Sequence, residues 1–463
     1  MKNKKLAGIV LAVLFISVSQ GNALANEPDI TAEIPAINNS ETESTWNPEE
    51  GSYVISTVED LKAFRESLNT GETYYRETEV NGQKSGKQTV VLLNNDIEIP
   101  AGADIGSIQK SVVGSLPITN FEGYFNGQGH TISGFSDTKV GLVDVLGTNG
   151  VITNLQMKVD LNFTDDSFHS WSNNYTSWES ISYGVFSSYA SGRVAYCSAE
   201  GNVNFDVDLS SPTASNGTRD VSFYGILENK TGGNTVYGWE TVANCRTDFN
   251  YSVKAINGGE YTGAVVLSGI ARNSSNRSSM QGSMTNCFAT ATFGDCSVTK
   301  PDGSAGIFSI YGIGSVKSKD FVTGCYFDKT DGHYTKTNDL GSVINPVTST
   351  DDLTKAKTYE GYDFENVWTT NEDTTMPELR KDIPDEMLLP VIDDGGIKGD
   401  VNGDDKVDAK DVSELLQVLK GARILSREEK IRGDINNDDI IDKKDVFEIQ
   451  QAIVGVDGLI NTY

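Results

Sequence analysis

The sequence predicts a mainly β chain, a right-handed parallel β-helix (solenoid), followed by a small α-helical module. Three observations carry this expectation. Between residues 120 and 330 a Gly-apolar segment and a partner segment recur with a period of about 40 residues, which is the mark of stacked repeats. Within those segments apolar residues alternate strictly, as in Leu155, Met157, Val159, Leu161 and Phe163, the period of a strand with one buried face. At the C-terminus one loop-helix unit is written twice.

Residues 1–25 open with Lys2, Lys4 and Lys5, continue with an apolar run from Leu6 to Val18, and close on Ala23-Leu24-Ala25. This reads as a secretory signal with a small-residue cleavage site. The run is short for a membrane anchor, no later stretch reaches about 18 apolar residues, and the expected location is secreted and extracellular. Residues 26–50 carry Pro28, Pro35 and Pro48 among many polar residues and read as a disordered linker. The β-helix domain is expected over 51–381. It opens with a short strand at Tyr53 and a capping box, Ser56 with Glu59, ahead of a helix with Leu61, Phe64 and Leu68 on one face.

The repeats follow. Gly141-Leu142-Val143, Gly184-Val185-Phe186, Gly225-Ile226-Leu227, Gly269-Ile270-Ala271 and Gly306-Ile307-Phe308 form one series. The partner segments end at Leu155, Cys197, Cys245, Cys287 and Cys325, at near-regular intervals. About 40 residues per repeat suits two coils of a parallel β-helix, with a β-propeller as the alternative. Two coils would set neighbouring cysteines about 9–10 Å apart, too far to bridge, so stacked core thiols are expected.

Asn94-Asn95-Asp96-Ile97, the run from Phe121 to Ile132, and the Gly-Leu-Val and Ile-Thr-Asn-Leu segments resemble the GLUG-type repeat of secreted bacterial β-helix adhesins. Tyr362 to Trp368 with Pro377 to Leu379 resembles the closing coil of such domains. The resemblance implies a shape and brings no catalytic residues.

Residues 382–396, with Pro384, Pro390 and Gly395-Gly396, have neither period and read as a second linker. In 397–463, loop positions 1, 3, 5, 9 and 12 are Asp400, Asn402, Asp404, Asp408 and Asp411, and recur at one constant offset as Asp434, Asn436, Asp438, Asp442 and Asp445. Oxygen donors at these positions, completed by the position-7 carbonyls of Lys406 and Ile440, form an EF-hand-type calcium shell, so two Ca2+ ions are expected. Position 6, usually Gly, is Asp405 and Asp439. The following helices place Val412, Leu415 and Leu419, matched by Val446, Ile449 and Ile453, on one stripe expected to be buried. These paired halves, without leading helices, resemble a type I dockerin. The resemblance implies a cohesin partner on a bacterial scaffoldin, contacted through Ala409, Lys410, Lys443 and Lys444.

A formal charge of −28 argues against nucleic acid as a partner. Three histidines without paired spacing disfavour a zinc hydrolase, and no Gly-x-Ser-x-Gly elbow is present. Asp165 and Asp166 are the weak catalytic candidates for a polysaccharide lyase or glycoside hydrolase of the pectin type, with Arg193, Arg246 and Arg272 as possible cationic partners. The better candidate is glycan binding by an aromatic insert, Trp171, Tyr175 and Trp178, with Tyr237 and Trp239 in the next repeat, since aromatic faces suit sugar rings. Packing of the loop onto its own coil is the competing role. The expected function is that of a secreted component of a cellulosome-like complex, a glycan-binding cargo in polysaccharide degradation.

Overall fold

Alternation turns one face of the stacked strands inward, and among the described residues they gather into four mostly parallel sheets, beside two small antiparallel ones. The computed structural model describes residues 52–71, 74–80, 83–109, 120–147, 149–172, 177–210, 218–229, 240–256, 264–273, 283–314, 322–330, 344–371, 374–388, 393–394, 398–404, 406–420, 422–423, 425, 429, 432–435 and 441–453. The expected signal segment and first linker lie outside them.

The first sheet stacks Ser52–Ile55, Val90–Leu93, Tyr124–Asn126, Val151–Thr153, Arg193–Ala195, Glu240–Ala243, Ser283–Thr285 and Val322–Thr323, each parallel to the next. The second stacks Ile97–Glu98, Thr131–Phe135, Gln156–Phe163, Ser198–Asp208, Arg246–Ile256, Phe288–Thr299, Cys325–Asp328 and Ile344–Val347 in the same way. A third sheet runs from Asn120–Phe121 to Ala271–Asn273. A fourth holds Ser177–Gly184, Thr218–Tyr224, Val265–Ser268 and Phe308–Tyr311, with His169–Ser172 antiparallel at its edge.

From Gln156 the chain visits the second, fourth, third and first sheets in rotation and returns to the second. Ile152 pairs with Val194, Val194 with Val242, Val242 with Met284, and Met284 with Val322. Each repeat is therefore one turn, which corrects the expectation of two. A turn that supplies a strand to each of four sheets, with long strands in the second and excursions between, uses up the whole repeat. Neighbouring cysteines consequently lie one strand spacing apart, about 4.8 Å, inside the Cα range for a bridge. All five cysteines are nonetheless free. In-register side chains run parallel, which keeps their Cβ atoms about as far apart as the strands, wider than a disulfide favours. The thiols of Cys197, Cys245, Cys287 and Cys325 instead donate to carbonyls of the preceding turn, those of Ile152, Val194, Val242 and Met284, at 3.6–3.8 Å.

Two columns of corners make the turns stackable. Before each of these cysteines the backbone is left-handed, at Tyr196, Asn244, Asn286 and Gly324, with φ of 56°, 48°, 50° and 60°. Asn154 at 51° precedes Leu155 in the same way. Asn and Gly tolerate this conformation best, which explains the recurring Asn-Cys pair. The second column is Gly141, Gly184, Gly225, Gly269 and Gly312, where a Cβ on Gly225 or Gly269 would overlap the carbonyl oxygen of the next glycine in the column. The fifth member is thus Gly312, followed by Ile313, and not Gly306; Ile270 donates to Ile313 O at 2.7 Å, while Ile307 is exposed. A shared tripeptide pattern placed Gly306 in the series, but only register decides which glycine stacks.

Inside, Met157, Val159, Leu161 and Phe163 are buried as expected. Like residues stack between turns, Phe163 on Phe205 with centroids 4.6 Å apart and planes 8° from parallel. At the N-terminal end the helix Val58–Ser67 buries Leu61 and Phe64, and its capping box is Thr57 with Asp60, one residue on from the expected pair. This helix drives the fully buried Arg65 into the end of the stack, where the guanidinium donates to the carbonyls of Gly106, Gly141 and Leu142 and pairs with Asp137 at 2.5 Å. Carbonyls at the open end of a sheet need such donors.

At the other end, residues 350–388 are not a further coil. Trp368–Thr369 pairs antiparallel with Glu378–Leu379, and Tyr359, Tyr362, Trp368, Leu379, Ile383 and Leu388 pack on Phe288 and Tyr326 of the second sheet's outer face. The strap is pinned to the corner column, since Trp368 Nε1 donates to Asn244 Oδ1 at 3.3 Å and Asn286 Nδ2 to Gly361 O at 3.1 Å. Ile383 and Leu388, within the stretch read as linker, are buried there, and Asp393–Asp394 pairs with Gly86 and Lys87. No helix among the described residues is long and apolar enough to cross a membrane.

Candidate functional site

The C-terminal module is built by duplication. The helices Ala409–Leu419 and Lys443–Ile453 bury Val412 and Leu415, and Val446 and Ile449, around Val401 and Ile435, the second residue of each loop. The stripe is narrower than expected. Leu419 and Ile453 are exposed at 38% and 41%, because only two helical turns face the small core before the stripe rotates to solvent. With Leu416 and Phe447, exposed at 38% and 58%, they form apolar surface on the two helices that periodicity alone assigned to the interior or passed over.

Each loop is organised by its last aspartate. Asp411 Oδ2 accepts from Asp408 N at 2.8 Å and Oδ1 from Asn402 N at 3.1 Å. Asp445 repeats the first bond with Asp442 N at 2.8 Å, and its Oδ1 accepts from Ile435 N at 3.0 Å, one loop position earlier than in the first copy. The position-9 aspartates cap the helices, Asp408 accepting from Lys410 N at 2.7 Å and Asp442 from Lys444 N at 2.6 Å. Asp400 Oδ1 accepts from Gly403 N and Asp404 N at 2.8 and 3.0 Å. Gly403, at loop position 4, is left-handed with φ 73°. Asp400, Asp411, Asp434 and Asp445 are buried to 1% or less, an oxygen-only donor set of the kind calcium uses. Asn436, Asp438, Asp439 and Ile440, and Asp405, lie outside the described residues. Lys406 and Asp404 are exposed, and Lys410 Nζ sits 2.7 Å from Asp404 Oδ2, which holds the Asp404 carboxyl below the usual carboxylate range. Among the described residues no three His, Cys, Asp or Glu side chains converge to metal-binding distance. The donor chemistry fits calcium; the first-loop carboxylates here turn to backbone N–H groups and to Lys410.

The two loops also hold each other. Arg432 donates to Asp400 O at 2.6 Å and Val401 O at 3.1 Å, and Lys398, its counterpart in the first copy, donates to Asp434 O. This reciprocal clasp escaped the motif reading, although the basic residue recurs at the same offset as the ligands. Ala409, Lys410, Lys443 and Lys444 are all exposed at the helix starts.

The other candidates are scattered. Asp165 is linked to Arg219, 3.7 Å away, and accepts from Asp208 N at 2.9 Å; Arg219 also pairs with Glu179 and lies over the Phe168 ring. Its cationic partner is therefore Arg219 rather than Arg193, Arg246 or Arg272, because parallel register brings Thr218–Tyr224 beside Ser177–Gly184 and so Arg219 opposite Glu179. Asp166 is exposed. Trp171 and Trp178 are backbone partners where His169–Ser172 pairs antiparallel with Ser177–Gly184 at the edge of the fourth sheet. Tyr175, Tyr237 and Trp239 lie outside the described residues. A polar groove of about 480 Å³ lies elsewhere, between the second sheet and the strap.

Comparison with curated proteins finds no match, and neither does comparison with solved structures. Residues 398–454 match the family model of the dockerin type I domain, a module that generally binds calcium and implies a cohesin partner. The C-terminus of this mainly β chain is a type I dockerin domain.

Proposed function

We propose that this protein is a secreted component of a cellulosome-like assembly, in which the dockerin plugs a parallel β-helix cargo of the GLUG type into a scaffoldin cohesin. The observation that carries this reading is the duplicated loop with the matched bonds from Asp408 N to Asp411 and from Asp442 N to Asp445. Two Ca2+ ions are held by the side chains of Asp400, Asn402, Asp404, Asp408 and Asp411 and of Asp434, Asn436, Asp438, Asp442 and Asp445, with the carbonyls of Lys406 and Ile440. Bound calcium neutralises the clustered carboxylates and fixes the helix starts. The cohesin is met through Ala409, Lys410, Lys443 and Lys444, and the exposed Leu416, Leu419, Phe447 and Ile453 support that face by supplying apolar contact area. Domain boundaries are proposed at 51–381 for the cargo and 397–463 for the dockerin, after a signal segment at 1–25.

The cargo contributes glycan binding. Support comes from the antiparallel register that pairs Trp171 with Trp178, while the engagement of Asp165 by Arg219 and the Asp208 amide suits a structural carboxylate better than a catalytic one. Screening the chain against pectins, xylans, mucins and starch, for retention and for new reducing or unsaturated ends, tests this. Retention without products is expected. Products abolished by Asp165→Ala with Asp166→Ala would move the cargo to the lyase or hydrolase class.

A further inference from the structure

The groove between the strap and the second sheet is unlike the rest of this acidic chain. Its floor comes from the outward positions of successive turns, Lys158 beside Glu200 and Ser198 beside Arg246, and its wall from strap residues Arg380 and Lys381. Four cationic side chains thus line about 480 Å³, with the carboxylates of Glu200, Glu378 and Asp382, in a protein of net charge −28. Most are locally balanced: Lys158 pairs with Glu200 at 2.8 Å, Arg246 with Asp248 at 2.9 Å and with Glu200 at 3.6 Å, and Arg380 with Asp382 at 3.1 Å. Lys381 makes no salt bridge among the described residues. Arg246 is 6% exposed, and its Nε has no hydrogen-bond partner there. A nearly buried guanidinium that keeps a donor unused after meeting two carboxylates is a costly arrangement for structure alone.

We propose that this groove binds a uronic acid residue of an acidic glycan, its carboxylate received by Arg246 and Lys381; this rests on the reading of the solenoid as a glycan-binding cargo. Four cations against three carboxylates in the lining leave a surplus of one, which matches a single carboxylate better than a doubly charged phosphate group. Gln156, Ser198 and Thr369 also line the groove and supply the amide and hydroxyl partners that sugar hydroxyls need, and Glu378 accepts from them. No aromatic side chain lines it, so neutral sugars lack a stacking face there. Nε is the Arg246 donor left for the uronic acid carboxylate, since Glu200 and Asp248 hold the two outer nitrogens.

The test is calorimetric titration of the calcium-loaded full chain with oligogalacturonate, its methyl ester and a neutral galacto-oligosaccharide. Oligogalacturonate is expected to bind, with at least tenfold weaker binding of both neutral ligands. Lys381→Glu, on the exposed wall, and Arg246→Lys, which keeps the charge but loses Nε, should each weaken oligogalacturonate at least tenfold with the melting temperature of Lys381→Glu unchanged. Equal binding of the methyl ester, or unaltered affinity in Lys381→Glu, would overturn the proposal. Retention of other glycans that is lost only with Trp171→Ala and Trp178→Ala would refute the groove and leave the cargo reading standing. No retention of any glycan would end both.

Discussion

Replacing Arg65 by Met should destabilise the stacked sheets without touching any candidate binding residue. The side chain is fully buried and donates at 3.2, 2.6 and 3.0 Å to the carbonyls of Gly106, Gly141 and Leu142, and at 2.5 Å to Asp137. Methionine matches its length and supplies no donor. Each buried carbonyl deprived of its partner costs about 1–3 kcal/mol, and Asp137, partly exposed, recovers part of its loss from water. Against this stands the desolvation of the guanidinium, several kcal/mol, which the variant no longer bears. The balance for breaking a buried pair from one side is about 3–5 kcal/mol. With an unfolding entropy of about 2 cal/mol/K per residue over roughly 300 residues, this lowers the melting temperature by roughly 5–8 °C. Scanning calorimetry of the two proteins measures it. A midpoint unchanged within the scatter, or raised, would refute the view that Arg65 seals the end of the stack.

Other consequences follow from the turns and the module. Gly269→Ala should cost more than about 2 kcal/mol, since the new Cβ overlaps the Gly312 carbonyl and lies 2.6 Å from Ala289 Cβ, whereas Gly294→Ala, with 3.5 Å to its nearest neighbour, should be neutral or slightly stabilising; urea denaturation distinguishes them. Burial pushes the Cys197 thiol up to about 12 from 9.0, so it stays protonated at pH 8, and a thiol reagent should label at most the half-buried Cys296 until denaturant frees all five. By linkage the stability from Cys197 is complete below pH 9 and is lost as pH rises toward 12, because the unfolded thiol ionises first. Lys443→Ala with Lys444→Ala should weaken cohesin binding more than Lys410→Ala, since the second helix start presents two ammonium groups and the adjacent exposed Phe447; equal or reversed losses in a binding titration would contradict a preferred orientation through the second copy.

Much of this was legible. Strict alternation placed Met157 to Phe163 with the correct face inward, and the constant offset between like residues found both loops. What escaped depends on contacts distant in sequence. The number of turns per repeat is set by which strands pair, and the observed period fits one long turn as well as two short ones. Gly306 and Gly312 share composition, and only stacking under Ile270 separates them. Leu419 and Ile453 obey helical periodicity, but the module's core is too small to cover them. Arg219, the partner of Asp165, lies far along the chain, joined to it by parallel pairing that no local pattern announces. The groove at Arg246 exists because the strap folds back over the second sheet, which no periodicity within either segment reveals.

Capture of the full chain on a panel of immobilised type I cohesins, with calcium and then with excess chelator, tests the central claim most directly. The account predicts tight retention by at least one cohesin in calcium, release on chelation, and loss of retention at any calcium concentration when Asp400 and Asp411 are changed to Ala together with Asp434 and Asp445, the carboxylates buried in both loops. Retention that survives chelation, or a fourfold variant that still binds, would contradict it.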